Sequence, residues 1–233
     1  MFKSDLIAMF PTMIYSTVLE DHESFNTLIM DNMLKHGFDS QTLITGEPDG
    51  KSTVHCDPAF YNFFKQISFH VEQYANQFSL KENLFDYFVT KSWYVIVNNT
   101  SQRIKYHVHS AGHFSFVYYA CLPPLSDILS FSNQHEPNAF FDGLFDTNPD
   151  PNRNLINDIT EFNCKSYSIT PQVGQLIIFP SKLPHGTIRH PDNVDNIFPG
   201  KRVGISGDVN MLLKPQITNF ESGKLNWKHW RKF

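Results

Sequence analysis

The sequence lacks any apolar stretch long enough to cross a membrane. Its longest uninterrupted apolar run extends only from Phe116 to Leu122, whereas a spanning helix needs about 20 such residues. Basic residues are not in excess either, with 19 Lys and Arg against 23 Asp and Glu and a net charge of −4. Because general nucleic-acid binding requires a basic surface, the composition argues against both a membrane-spanning protein and a nucleic-acid binder.

Cysteine is scarce. Cys56, Cys121 and Cys164 are widely spaced, and no two of them form a C-x-x-C pair. This spacing favours neither a disulfide framework nor a cysteine zinc site. The first residues carry no long apolar segment, so we expect no signal peptide. We therefore predict a reduced, cytoplasmic protein.

Apolar residues are abundant, at 41% of the 233 residues, and 22 residues are Phe. This excludes intrinsic disorder, and the length suits one domain. We predict a single domain over 1–233, with helical N-terminal support over about 1–86, a jelly-roll core over about 87–210 and a C-terminal tail over 211–233. The sequence leaves the oligomeric state open.

Two helices are predicted in the N-terminal third. The first begins with Asp21 as N-cap and ends at Gly37. The second begins at Asp57, with Pro58 in the first helical position. Apolar residues recur at spacings of three and four along the second helix, which indicates one buried face; they are Phe60, Phe63, Phe64, Ile67, Val71, Tyr74 and Phe78.

From about Tyr87 the pattern changes to short β-rich runs separated by turn residues. Such a rhythm is typical of a sandwich or jelly-roll barrel, so the predicted fold is mainly β with N-terminal helices. The predicted runs are Tyr87–Asn98, Ile104–His109, Phe114–Leu122, Ile128–Phe131, Tyr167–Thr170, Gln175–Phe179, Thr187–His190 and Arg202–Asn210. The long polar segment 132–162 interrupts this rhythm, and we predict that it forms a substrate lid.

Three of the eleven histidines stand out as candidate metal ligands. His107 and His109 are two residues apart in a predicted strand, so both rings lie on one face. Two imidazoles facing inward need polar partners, and a divalent metal satisfies both. His185 follows a buried strand and a Pro-bounded turn, and a jelly roll pairs distant segments. Two histidines and a third ligand form a facial triad that leaves positions open for substrate and O₂.

Arg202 begins a strand 17 residues after His185. At the mouth of a barrel its fork of N–H donors would suit a carboxylate ligand. Ser206 lies on the same strand face and could share that carboxylate. The alternative for Arg202 is an ordinary surface ion pair.

Taken together, these segments resemble the 2-oxoglutarate/Fe(II)-dependent dioxygenase superfamily. The resemblance is closest to its prolyl-hydroxylase-like branch, among oxygenases of bacterial and phage genomes. It covers about 87–210 well, and it implies a double-stranded β-helix. The segments that carry it are Phe10–Thr12, Trp93–Tyr94, His107–Tyr119, Gly174–Gly186 and Arg202–Ser206.

The resemblance implies roles for individual residues. His107 matches the first ligand of the family's His-x-Asp/Glu motif, and His185 matches its distal histidine. Arg202 matches the basic residue that binds the far carboxylate of 2-oxoglutarate, and Tyr119 matches a tyrosine that reaches the same group. Ser206 matches less closely, since the family often has its serine two residues after the arginine, where this chain has Gly204.

One position departs from the family pattern, because His109 occupies the place of the usual carboxylate. Three interpretations follow: a three-histidine iron site, a triad completed by a carboxylate from elsewhere, or a site without metal. Imidazole is a good iron ligand, so we predict His107, His109 and His185 as the ligands. His113 is a reserve ligand.

The resemblance implies Fe(II) and 2-oxoglutarate as cofactors, O₂ as co-substrate, and hydroxylation of a C–H bond in a small molecule or peptide. Peptidyl proline, a free amino acid and other metabolites all remain open as substrates. The alternatives are a cupin-like three-histidine dioxygenase that uses no 2-oxoglutarate and a non-catalytic jelly roll that binds a sugar or a protein. The basic and aromatic stretch Lys224–Phe233 could bind single-stranded nucleic acid, although a self-packed or solvated tail is favoured.

Overall fold

The computed structural model describes residues 11–36, 43–44, 53–81, 83–100, 103–133, 138–140, 142–146, 148, 150–160, 162–195, 197–214 and 230–233. Its α-helices are α1 (His22–Lys35) and α2 (Tyr61–Asn76), and 3₁₀ turns occur at Val54–Cys56, Pro58–Phe60 and Pro151–Arg153. The strands are β1 (Tyr15–Val18), β2 (Leu43–Ile44), β3 (Phe85–Thr100), β4 (Phe114–Cys121), β5 (Ile128–Ser132), β6 (Ser166–Ile169), β7 (Gln175–Pro180), β8 (His185–Ile188) and β9 (Ile197–Leu213). No helix in these ranges is long and apolar enough to cross a membrane.

Within the described residues the strands form two antiparallel sheets. The larger sheet has the order β1-β7-β4-β9-β3-β2, and the smaller has the order β6-β5-β8. Neighbours in the sheets are mostly distant in sequence, as expected for a jelly roll. The predicted fold class, a helix-buttressed double-stranded β-helix, is confirmed.

Helix α2 covers the outer face of the larger sheet. Asp57 caps the turn that precedes it, because its Oδ1 accepts a hydrogen bond of 2.9 Å from the backbone N–H of Ala59. A 3₁₀ turn at Pro58–Phe60 comes first, and the α-helix begins at Tyr61. The predicted apolar face is buried from Phe60 to Tyr74, whereas Phe78 lies beyond the helix end and is exposed.

Helix α1 also forms where predicted, but its cap differs. Asp21 occupies the N-cap position with φ of 55°, and its side chain makes no capping hydrogen bond. Its backbone carbonyl instead accepts from the N–H groups of Ser24 and Phe25. The helix ends at Lys35, with His36 as C-cap, and Gly37 lies outside the described residues, as does Phe10.

Three strand predictions needed correction. The run Ile104–His109 is not a strand of either sheet, and only His107 forms an isolated antiparallel bridge with His185. Strand β8 begins at His185 rather than at Thr187, and β9 begins five residues before Arg202.

Both ends of the described chain form part of the folded structure. The sequence predicted only helical support at the N-terminus and a tail at the C-terminus. Strand β1 pairs with β7 at one edge of the larger sheet. At the other end, Arg231 and Val89 exchange backbone hydrogen bonds, and the Phe233 ring stacks on Phe64 with centroids 5.5 Å apart. The final residues are therefore packed on the fold, while 215–229 lie outside the described residues.

Strand β4 shows how the larger sheet separates a core from a cavity. Phe116 and Tyr118 belong to the buried cluster that α1 and α2 cover. Tyr119 belongs to a second cluster between the two sheets, and Val117 and Tyr119 line a cavity there of about 520 Å³. Successive strand residues point to opposite faces of a sheet. The outer face of β4 therefore packs against the helices, and its inner face lines the cavity.

We expect Phe63→Ala to lower the free energy of unfolding by about 3–5 kcal/mol, because it would leave a cavity in the helix-covered core. The Phe63 ring is fully buried and lies 5.0 Å from that of Tyr118. Phe69→Ala on the same helix is the matched control, because Phe69 is 56% exposed. Urea denaturation would measure both, and equal losses would show that α2 packs differently.

Candidate active site

Three histidine side chains meet at one end of the cavity. One nitrogen from each of His107, His109 and His185 lies within 4.8 Å of the others. The Nε2 atoms of His107 and His109 are 3.1 Å apart, and the ring centroids of His107 and His185 are 4.4 Å apart. The structure thus brings together the three predicted residues.

Backbone hydrogen bonds hold these residues in position. His107 and His185 exchange two N–H···O bonds of 3.0 Å, and the N–H of His109 donates to the Ser181 carbonyl at 2.8 Å. The two-residue spacing still directs the rings of His107 and His109 to one side, although the segment is not a sheet strand.

The hydrogen bonds of the Nδ1 atoms indicate which tautomer each ring adopts. Nδ1 of His107 lies 2.8 Å from the Lys105 carbonyl, and Nδ1 of His185 lies 2.8 Å from the Leu183 carbonyl. Because a carbonyl only accepts, both rings carry their proton on Nδ1 and present an Nε2 lone pair.

The geometry fits a bound cation. The Nε2 atoms of His107 and His109 are 3.1 Å apart, a separation that suits a proton or a cation shared between the two rings. Two adjacent ligands at about 2.1 Å from a metal are themselves about 3 Å apart. Burial lowers the pKa of His185 to about 4, helped by its two histidine neighbours, so this ring is neutral and able to bind metal at physiological pH.

Asp208 lies directly behind His109 and was not among the predicted site residues. Its Oδ1 is 2.5 Å from Nδ1 of His109 and accepts a 2.8 Å hydrogen bond from the Ser115 hydroxyl. The sequence did contain a signal for it. Asp208 follows Arg202 by six residues on one strand, so the period of two puts both on the face of the cavity.

Arg202 and Tyr119 line the same cavity as the histidines. The Arg202 guanidinium carbon is 5.9 Å from the centroid of the Tyr119 ring, and Nη1 donates to the Asp127 carbonyl at 3.1 Å. Burial raises the pKa of Tyr119 to about 12, although Arg202 opposes the shift. The Tyr119 hydroxyl is therefore protonated, and it is buried without a partner among the described residues.

Ser206 lines the cavity between Arg202 and Asp208. A side chain at position 204 could not replace it, because a Cβ there would lie 2.5 Å from the Tyr118 carbonyl oxygen. The contact explains why the chain has glycine at this position and leaves Ser206 as the nearest hydroxyl on this strand face.

The reserve candidates lie elsewhere. His113 is outside the histidine cluster, and its Nδ1 accepts a 3.0 Å hydrogen bond from the N–H of Met211. Arg189, the arginine nearest to Arg202 in the sequence, is exposed. Among the described residues of the segment 132–162, none lines the cavity, so the lid stays a prediction.

Part of the chain matches a known protein family. Residues 91–198 match the family described as "Putative 2OG-Fe(II) oxygenase". No curated protein matches the chain.

Three solved structures are similar to this chain to different degrees. The non-heme alpha-ketoglutarate-dependent epimerase SnoN from nogalamycin biosynthesis has a TM-score of 0.53 at 10% identity, over 95% of this chain and 87% of that one. A Pseudomonas putida prolyl-4-hydroxylase has a TM-score of 0.46 at 12% identity, over 85% and 88%. An oxidoreductase of the 2OG-Fe(II) oxygenase family from Burkholderia pseudomallei has a TM-score of 0.36 at 11% identity, and the match spans 55% of this chain and 46% of that protein.

The resemblance drawn from the motifs is therefore confirmed. The likeness to the 2OG-Fe(II) oxygenase family covers residues 91–198.

Tyr119→Phe is expected to leave the free energy of unfolding unchanged or to raise it by up to about 1 kcal/mol, because it removes a buried hydroxyl without a partner. Tyr118→Phe is the adjacent control and should cost about 1 kcal/mol, since the Tyr118 hydroxyl donates to Asn26 Oδ1 at 2.6 Å. Urea denaturation of both variants checks this. A larger loss for Tyr119→Phe would contradict the burial of an unpaired hydroxyl.

Proposed function

We propose that the protein is an Fe(II)- and 2-oxoglutarate-dependent hydroxylase. In this proposal His107, His109 and His185 hold the metal, and Arg202, with Tyr119 and Ser206, holds the far carboxylate of 2-oxoglutarate. The substrate is a small molecule or peptide with an accessible C–H bond, and a prolyl or other amino-acid-like group is the candidate class.

One observation carries the proposal. Three imidazoles converge at one end of a cavity of about 520 Å³ that is also lined by a buried arginine and by a tyrosine hydroxyl without a partner. A dicarboxylate that reached from the histidine cluster to the arginine and the tyrosine would give both ends of the cavity a binding partner. In 2-oxoglutarate, the keto acid end can bind a cation held by the histidines. The far carboxylate can accept hydrogen bonds from the guanidinium group of the arginine.

When bound, Fe(II) would provide the site at which O₂ and 2-oxoglutarate are converted to succinate and CO₂, with the second oxygen atom inserted into the substrate C–H bond. The chain's own contribution is to bind and orient. Arg202 supplies a charge that is only 4% exposed, and Tyr119 donates because its hydroxyl is protonated. The apolar walls of the cavity, which include Val95, Leu129 and Phe179, limit the access of water.

A cupin-like dioxygenase without 2-oxoglutarate is the second candidate, and the three-histidine cluster is the observation that favours it. Such an enzyme would leave Arg202 and Tyr119 without a ligand. A non-catalytic jelly roll would leave the convergence of three imidazole nitrogens without a function.

The direct test is turnover of 2-oxoglutarate. Anaerobic Fe(II) and 2-oxoglutarate should produce the weak visible absorption band of their chelate, and adding O₂ should release succinate slowly even without the substrate. His109→Ala should lose Fe(II) binding and succinate formation, whereas His113→Ala, outside the cluster, should keep both. Iron binding without succinate under any substrate panel would favour the cupin-like enzyme, and no metal binding would favour the binding protein.

The role of Arg202 can be tested separately from the metal. Arg202→Ala should weaken 2-oxoglutarate binding by about 2–5 kcal/mol, because it leaves the far carboxylate unpaired in a buried pocket. Fe(II) affinity should be unchanged, since Arg202 is not a ligand in this proposal. Arg189→Ala is the matched control, because Arg189 is exposed. Calorimetric titration with 2-oxoglutarate measures both, and unchanged affinity in Arg202→Ala would refute the assignment.

A further inference from the structure

The three histidines differ in the hydrogen-bond partner of their Nδ1 atoms. His107 and His185 direct Nδ1 at neutral backbone carbonyls, whereas Nδ1 of His109 faces the carboxylate of Asp208 at 2.5 Å. Both partners are well covered, with side-chain exposures of 14% for His109 and 6% for Asp208. Solvent therefore screens this pair only weakly.

The position of Asp208 is fixed from several directions. Ser115 donates to Oδ1 at 2.8 Å and is itself 2.9 Å from the Ser181 hydroxyl. A Cβ at Gly112 would lie 3.1 Å from the Asp208 Cβ and 2.7 Å from the Ser181 Oγ. The backbone at Gly112 therefore packs closely against this network.

A change in strand register lies next to this carboxylate. The pairing of β3 with β9 shifts between Val89 and Lys91, and the Thr90 hydroxyl at that shift donates to the Asp208 carbonyl at 3.2 Å. Bulges often re-aim side chains beside active sites, and here the residue that follows the bulge, Lys91, pairs with Asp208 in the register.

We propose that Asp208 is a positioning residue that supplies, through His109, the negative charge that three neutral imidazoles cannot give a divalent metal. This inference rests on the metal site of the proposed function. A carboxylate that accepts Nδ1–H fixes the tautomer and orientation of a ligand histidine and raises its basicity. The metal thus has a carboxylate one ring away instead of in direct contact.

This arrangement has a consequence for His109→Asp. A carboxylate at position 109 would lie beside that of Asp208, and the two like charges would repel. Asp208→Asn should therefore weaken metal binding in the parent protein but strengthen it in the His109→Asp background. A sign reversal of this kind is not expected if Asp208 only supports the fold or is itself a ligand, because its loss would then be harmful in both backgrounds.

The experiment is a titration with Co(II), whose visible spectrum reports coordination, on the full chain. Asp208→Asn should lower Co(II) affinity about 10–100-fold in the parent. The double variant His109→Asp/Asp208→Asn should bind Co(II) more tightly than His109→Asp alone. Ser115→Ala, which leaves the carboxylate in place, should have a smaller effect than Asp208→Asn.

A second measurement does not depend on any variant being stable. In the parent protein, NMR should detect a slowly exchanging, low-field Nδ1–H proton on His109, and its absence would overturn the proposal. Equal Co(II) affinity of the parent and Asp208→Asn, or weakening by Asp208→Asn in both backgrounds, would also overturn it. Because neither measurement uses 2-oxoglutarate or O₂, a failure of succinate formation would count against the proposed function alone.

Discussion

The pairing of β9 with β3 on one side and β4 on the other is the constraint on which the site depends. With β9 held between two neighbours, its alternate residues Arg202, Gly204, Ser206 and Asp208 all line one cavity. A shift of one residue in register would turn all four toward the helix-covered core. The long ladder and the apolar outer face make that shift costly, so the burial of the core also fixes the order of functional groups along the cavity.

The balance of charge around the three histidines is a second constraint on the site. Three neutral imidazoles leave a divalent cation uncompensated, while the described residues that line the cavity include one aspartate, Asp208. In the proposed site this carboxylate would lie close to the metal and would be separated from it by the ring of His109. If the proposal holds, the carboxylate ligand that the family motif implies is replaced here by a carboxylate one ring away, and the negative charge stays in the site.

The motifs and their order predicted the fold class and the convergence of His107, His109 and His185, because two-residue periodicity and turn residues are local signals. Sequence reasoning failed where non-local pairing decides. It extended a strand through Ile104–His109, where only His107 pairs, and it missed Asp208, whose partner His109 is distant in sequence. It did note Gly204 as a departure from the family, but the reason, the approach of the Tyr118 carbonyl, is visible only in three dimensions.

The bridge between His107 and His185 joins segments about 78 residues apart, and the cost of closing such a loop rises only slowly with length. A metal bound by both histidines would link β8 of the smaller sheet to the segment that leads into β4. Binding to the folded state alone stabilises a protein in proportion to the logarithm of metal concentration. The metal concentration in the cell would then set the free energy of local unfolding at this contact between the two segments. It would thereby set how readily a protease could cleave the chain there.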